Sequence, residues 1–128
     1  MTLQVALVVP DRELWSGQAN MVIAKTQDGD IGVLTGHSPV FGALTEGSIA
    51  EIITDEQRVR AAVSGGFLSV ADDRVSILAA QAELAGEINV EQTRAELAAA
   101  LAEATPGADD SPAVRYARAR LRAAGSQD

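Results

Sequence analysis

A chain of 128 residues with 47% hydrophobic and 22% charged residues has the size of one globular domain with room for a small appendage, which excludes both a large enzyme and a wholly disordered chain. Ten Lys and Arg against 18 Asp and Glu leave a net charge of -8, which repels phosphate backbones and argues against nucleic acid as a partner. Cysteine is absent, so disulfides, thiolate nucleophiles and Cys-based zinc sites are excluded and a reducing compartment is expected.

The N-terminal part reads as strands. Leu3, Val5, Leu7 and Val9 alternate on one face, followed by Val59, Ala61 and Val63 and by Val75, Ile77 and Ala79, the period-two pattern of half-buried strands. Turn pairs punctuate the segment at Pro10-Asp11, Asp28-Gly29, Glu46-Gly47, Asp55-Glu56, Gly65-Gly66 and Asp72-Asp73, a rhythm of short strands rather than of alternating strands and helices. The pattern predicts an N-terminal antiparallel β-sandwich over residues 1–86. Its single tryptophan, Trp15, reads as core filling.

Near Ile88 the composition changes, and residues 87–128 are predicted to form a C-terminal two-helix hairpin. Asn89 with Gln92 makes a capping-box pattern, Glu91 suits the positive end of a helix dipole, and Val90, Leu97 and Leu101 fall near one face. Thr105-Pro106-Gly107 is expected to break this helix. Ser111-Pro112 starts a second, with Val114, Ala117, Leu121 and Ala124 on a stripe and Gly125 as the stop. Glu91, Glu96, Glu103, Asp109 and Asp110 make the first segment acidic, whereas Arg115, Arg118, Arg120 and Arg122 make the second basic, so the two attract. Their apolar stripes consist largely of alanine, at about 0.8 kcal/mol per buried methyl, so the docking of the hairpin is expected to be marginal and the hairpin mobile.

The longest apolar run, Leu97 to Ala102, is far short of the roughly 20 residues a membrane span needs. The start, Met1-Thr2-Leu3-Gln4, lacks the basic residues of a signal peptide, and a cytosolic location is expected. The glycine-rich stretch Gly29 to Gly36 matches neither a phosphate loop nor a dinucleotide fingerprint. Asp28-Gly29-Asp30 departs from a calcium loop at Val33 and Pro39, so no metal is expected. His37, the single histidine, has no nucleophile motif beside it and reads as a turn residue, leaving no catalytic residues to name. Four arginines on one short helix make a concentrated positive surface, read either as a grip for an acidic partner or as a solvated face answering the acidic helix. A pocket holding Trp15 and His37 in a free-standing ligand-binding sandwich is the alternative reading.

Two stretches carry a resemblance. Asp28-Gly29-Asp30-Ile31-Gly32-Val33-Leu34-Thr35-Gly36-His37-Ser38-Pro39-Val40 and Ala62-Val63-Ser64-Gly65-Gly66-Phe67-Leu68, with Leu14-Trp15-Ser16-Gly17 before them and Val75-Ser76-Ile77-Leu78 after, resemble the epsilon subunits of F-type rotary ATP synthases. The match extends over essentially the whole chain. It implies a ten-stranded β-sandwich with a two-helix tail, a non-catalytic subunit of the central stalk that joins the gamma subunit to the c-subunit ring. The expected location is peripheral, on the cytoplasmic face of the cell membrane as part of the complex. It also implies that Asp30 and the Gly36-His37-Ser38 turn face the polar loops of the c ring. The C-terminal helices, with Arg115, Arg118, Arg120 and Arg122, are expected to reach toward the alpha and beta subunits of the catalytic head and restrain ATP hydrolysis.

Relatives that bind regulatory ATP use Ile/Leu-Asp-x-x-Arg-Ala at the start of the first helix. Here the matching stretch is Ile88-Asn89-Val90-Glu91-Gln92-Thr93, with an amide in place of the carboxylate and Gln-Thr in place of Arg-Ala. Arg94 lies about 200° around the helix from Gln92 and does not substitute. No cofactor is therefore expected, regulatory ATP being the one candidate that the resemblance names.

Overall fold

The computed structural model describes residues 2–103 and 111–125. Alternating apolar residues and six turn pairs produce ten strands: β1 (Leu3–Val9), β2 (Arg12–Ala19), β3 (Met21–Thr26), β4 (Gly29–Val33), β5 (Val40–Leu44), β6 (Ser48–Ile53), β7 (Arg58–Val63), β8 (Gly66–Ala71), β9 (Arg74–Ala79) and β10 (Ala82–Leu84). A 3-10 turn (Ala85–Glu87) leads to α1 (Val90–Glu103), and α2 (Pro112–Ala123) follows. Each of the six turn pairs falls at a strand connection. At the β8–β9 turn the chain demands left-handed backbone at two successive positions, and Asp72 (φ 52°) and Asp73 (φ 59°), whose short polar side chains tolerate that region, supply it.

The strands run in the order β10-β7-β6-β3-β5-β8-β9-β1-β2, with β4 added on β3. The two halves of this sheet join through the single pairing of Thr26 with Leu44, so the sheet folds over at that corner into two five-stranded layers. One expectation needs correcting: the sandwich is not wholly antiparallel. β1 lies parallel to β9, with Val5 opposite Val75 and Leu7 opposite Ile77. Closing the second layer requires the first strand to enter beside the ninth in the same direction, and alternation within a strand carries no information on its neighbour's direction.

Leu3, Val5 and Leu7 of β1, Val22 of β3, Ile52 of β6, Val63 of β7, Leu68 of β8 and Ile77 of β9 interleave between the layers and are fully or almost fully buried. The hairpin packs on the outside of this sandwich, over β6 and β7. α2 is apolar on two sides. Val114, Ala117 and Leu121 meet Leu97, Val90 and Leu101 of α1, while Ala119 and Ala123 meet Ala62 and Ile49 of the sheet. The predicted stripe shares Val114, Ala117 and Leu121 with the first of these; its fourth member, Ala124, belongs to neither side, and Ala119 and Ala123 lie outside it. Both predicted caps form: Asn89 Oδ1 accepts from Gln92 N–H at 2.9 Å, and Ser111 Oγ from Val114 N–H at 3.4 Å. Gln92 does not close the capping box but turns to Glu96, at 3.4 Å. The expected break at Thr105-Pro106-Gly107, with Asp109 and Asp110, lies outside the described residues.

Among the described residues the main core is made of strand residues alone. A chain ending at Gly86 is therefore expected to keep a cooperative thermal transition by circular dichroism, weakened by about 2 kcal/mol for uncovering Ala62 and Ile49. A molten or aggregated product would show that the sandwich and the tail are one folding unit.

Candidate functional site

The residues singled out in the sequence fall on two parts of the molecule, and the structure adds a third surface. Asp30 stands one residue into β4, exposed, opposite Lys25 of β3. Gly36, His37 and Ser38 lie in the loop between β4 and β5, so β4 separates them from Asp30 by its length. They share an edge rather than a point: among the described residues β4 pairs with β3 and with no other strand. The loop is built to stay in place. Gly36, at φ +82°, donates its N–H to Asp73 Oδ1 at 2.6 Å, which ties this loop to the β8–β9 turn. His37 N–H bonds to Leu34 O at 3.1 Å, and its Nδ1 lies 2.7 Å from Ser38 O. A carbonyl only accepts, so Nδ1 carries the proton and the ring is committed to its own turn, as the sequence suggested. Ser38 is exposed beside it.

The surface that sequence reading missed is the outward face of β5, β8 and β9. Phe41, 68% exposed, stacks on Phe67 with ring centroids 5.3 Å apart, and Leu78 stands opposite Phe67 in the ladder. Val8 of β1 continues the row beside Leu78. Large apolar groups in register on a solvent-facing sheet mark an interaction surface more often than chance exposure does. A signal was available in the sequence: Phe67 and Leu78 are out of phase with the buried Leu68-Val70 and Val75-Ile77-Ala79 alternations.

The four arginines do not form one positive surface. At about 100° per residue, Arg115, Arg118 and Arg122 share one flank of α2 while Arg120 points across it. Arg122 Nη2 reaches Gly47 O at 3.4 Å, and Arg115 Nη1 lies 4.0 Å from Glu46. Arg120 is only 12% exposed: its Nε is 2.5 Å from Glu83 Oε1 of β10, its Nη1 pairs with Glu96 of α1, and its guanidinium stands over the Tyr116 ring at 5.2 Å. Burial works against the charge on Arg120, but Glu96 and Glu83 outweigh it and hold its pKa above the ordinary arginine value. Burial, with Glu83 adding to it, pushes the Tyr116 hydroxyl up to about 12 and keeps the ring neutral. A cleft of about 660 Å³ opens beside this group, walled in part by Asp11, Arg12, Glu83, Glu96 and Tyr116.

The start of α1 does not fit a nucleotide. The Asn89 side chain is used as the helix cap, Thr93 is buried with its hydroxyl on Asn89 O at 2.7 Å, and the nearby Arg120 is already matched by two carboxylates that would repel a polyphosphate. Nor do Trp15 and His37 share a pocket. Trp15 packs on the sandwich core and lines a cleft of about 310 Å³ with Thr2, Gln18, Asn20, Asp55 and Gln57, and His37 is not among its walls. Among the described residues no group of three His, Asp or Glu side chains is placed to hold a metal, and no helix is long and apolar enough to cross a membrane.

Residues 2–85 match the family described as ATP synthase, Delta/Epsilon chain, beta-sandwich domain. The ATP synthase epsilon chain of Thermobifida fusca is 51% identical over 98% of this chain and 94% of its own, and that of Streptomyces avermitilis is 47% identical over 94% of each. A chain in the cryo-EM structure of the Euglena gracilis mitochondrial ATP synthase, OSCP/F1/c-ring in rotational state 1, has the same fold with a TM-score of 0.74 at 23% identity, over 96% of this chain and 81% of that one. A chain of the Tetrahymena thermophila mitochondrial ATP synthase central stalk and c ring gives a TM-score of 0.58 at 16% identity, over 75% of this chain and 72% of that one. With its sandwich, its two-helix tail and half of its residues shared with named relatives, the chain belongs to the epsilon-chain family of ATP synthases.

Proposed function

We propose that this chain is a non-catalytic subunit of the central stalk of a proton-translocating ATP synthase, on the cytoplasmic face of the membrane, joining the gamma subunit to the c ring so that rotation is coupled to ATP synthesis. The observation that carries this reading is the apolar row of Phe41, Phe67 and Leu78 across one sheet face, in a chain whose opposite layer is covered by its own helices. Such a row is suited to a permanent partner, and the gamma subunit is the partner assigned to it. The c ring is assigned to the polar β4 edge and the rigid Gly36-His37-Ser38 turn, where an acidic chain meets polar loops. The flank of α2 that carries Arg115, Arg118 and Arg122 is assigned to acidic surfaces of the alpha and beta subunits, where it restrains hydrolysis.

Two variants separate the two stalk surfaces. Phe41→Glu with Phe67→Glu places carboxylates on the apolar row and is expected to weaken binding to the gamma subunit roughly 100-fold, measured by titration of the purified subunits, with the thermal transition kept. Ser38→Arg is expected to leave stability within about 0.5 kcal/mol of the parent and gamma binding unchanged, yet to lower ATP-driven proton pumping by the assembled complex. Unchanged gamma affinity in the first variant, or unchanged pumping by a complex shown to contain the second, removes that surface from the interface.

A further inference from the structure

We propose that Arg120, Glu83 and Glu96 form a clasp that holds the helical hairpin on the sandwich, and that opening it frees both helices together. Three observations lead there. The clasp ties three elements through one side chain, since Glu83 belongs to β10, Glu96 to α1 and Arg120 to α2. α1 packs mainly on α2, whereas α2 packs on β6 and β7, so whatever fixes α2 fixes α1. The buried apolar contact between α2 and the sheet is small, Ala119 and Ala123 on Ala62 with the partly buried Ile49, Ile88 and Tyr116 at its margin, so a large share of the docking falls to polar contacts.

The guanidinium is suited to the task. Its planar fork serves two carboxylates in different directions while its face rests on Tyr116, an arrangement that a point charge on a lysine cannot reproduce. Because Arg120 is largely withdrawn from water, losing either side leaves a charge without its counterpart, and the docked state loses more than the contact itself. Glu96 is the more exposed acid, 45% against 30% for Glu83, and the open cleft runs beside it. The clasp therefore has a solvent side from which a competing acidic surface can reach Arg120. Its three residues lie far apart in sequence, and nothing in their spacing foretells that they meet. The proposal rests on contacts within this chain and does not require the hairpin to restrain hydrolysis.

Hydrogen exchange of the intact chain, read by mass spectrometry, tests it. In Arg120→Ala, and in Glu83→Gln with Glu96→Gln, amides of both α1 and α2 are expected to exchange at least tenfold faster while those of β1, β8 and β9 keep their protection. Combining all three substitutions should add little to Arg120→Ala alone, the mark of groups acting as one unit. Arg58→Ala, which breaks an ion pair with the partly buried Glu51 toward the other end of β6 and β7 from Ile49 and Ala62, should leave both helices as they were. Retained helix protection in Arg120→Ala and in the Gln pair, loss confined to α2, or fully additive effects would each overturn the clasp.

Discussion

Gly66→Ala is expected to cost the sandwich about 4 kcal/mol, through overpacking together with backbone strain. Gly66 sits at φ +138° where β8 begins, and a Cβ there would stand 1.9 Å from the carbonyl oxygen of Leu78 and 2.8 Å from the Cα of Ala79. Both are backbone atoms of the paired β9, so no side-chain rotation relieves the clash; the ladder itself must open. For a domain of this size the loss corresponds to a fall in melting temperature of roughly 15–30 °C, read by calorimetry. Gly47→Ala supplies the contrast. Its Cβ would lie 2.4 Å from the carbonyl carbon of Arg115, which belongs to α2 and not to the sheet. The helix can leave where β9 cannot, so the sandwich transition should survive while the helices lose protection from exchange. Equal melting temperatures for Gly66→Ala and the parent would mean that the close approach at the β7–β8 corner is not a constraint.

Deleting residues 111–128 is expected to raise ATP hydrolysis by the assembled enzyme roughly fivefold or more, the lower range of an ordinary coupling energy between sites. Changing Arg118 and Arg122 to Glu should raise it in part, because reversing two charges on that flank of α2 would repel acidic surfaces of the catalytic head. Arg120→Ala should move the rate the other way. It releases the hairpin from the sandwich without removing the flank proposed to engage the head, so more of the population should reach the restraining state and hydrolysis should fall. The measurement is steady-state ATPase at matched subunit stoichiometry for the parent and the three variants. Equal rates for the parent and the deletion would show that the tail does not restrain this enzyme, while leaving the clasp to be judged by hydrogen exchange alone.

Much of this fold is local, and what is local was legible. The alternation of Leu3, Val5 and Leu7, or of Val75, Ile77 and Ala79, follows from a sheet with one face buried, and these residues are buried in the structure. Asp72-Asp73 and Gly65-Gly66 mark turns because few other residues accept the backbone angles required there. Asn89 and Ser111 cap helices because their side chains reach amides only a few residues ahead. The family, too, was legible, since the Gly-His-Ser-Pro turn and the Ser-Gly-Gly-Phe step are continuous stretches of chain.

What depends on residues distant in sequence was decided only by the tertiary structure. Phe67 and Leu78 become part of an exposed row because β5, β8 and β9 are neighbours, and the parallel meeting of β1 and β9 is a fact of closure that neither strand encodes by its own pattern. The four arginines read as one cluster along the sequence, and the helix turns one of them away from the other three. Arg120 then meets two acids from other elements, one of them on β10. The physical reason is the same in each case: periodicity and caps are set by bonds and angles within a few residues, whereas ion pairs and interaction surfaces depend on which faces the packed layers bring together.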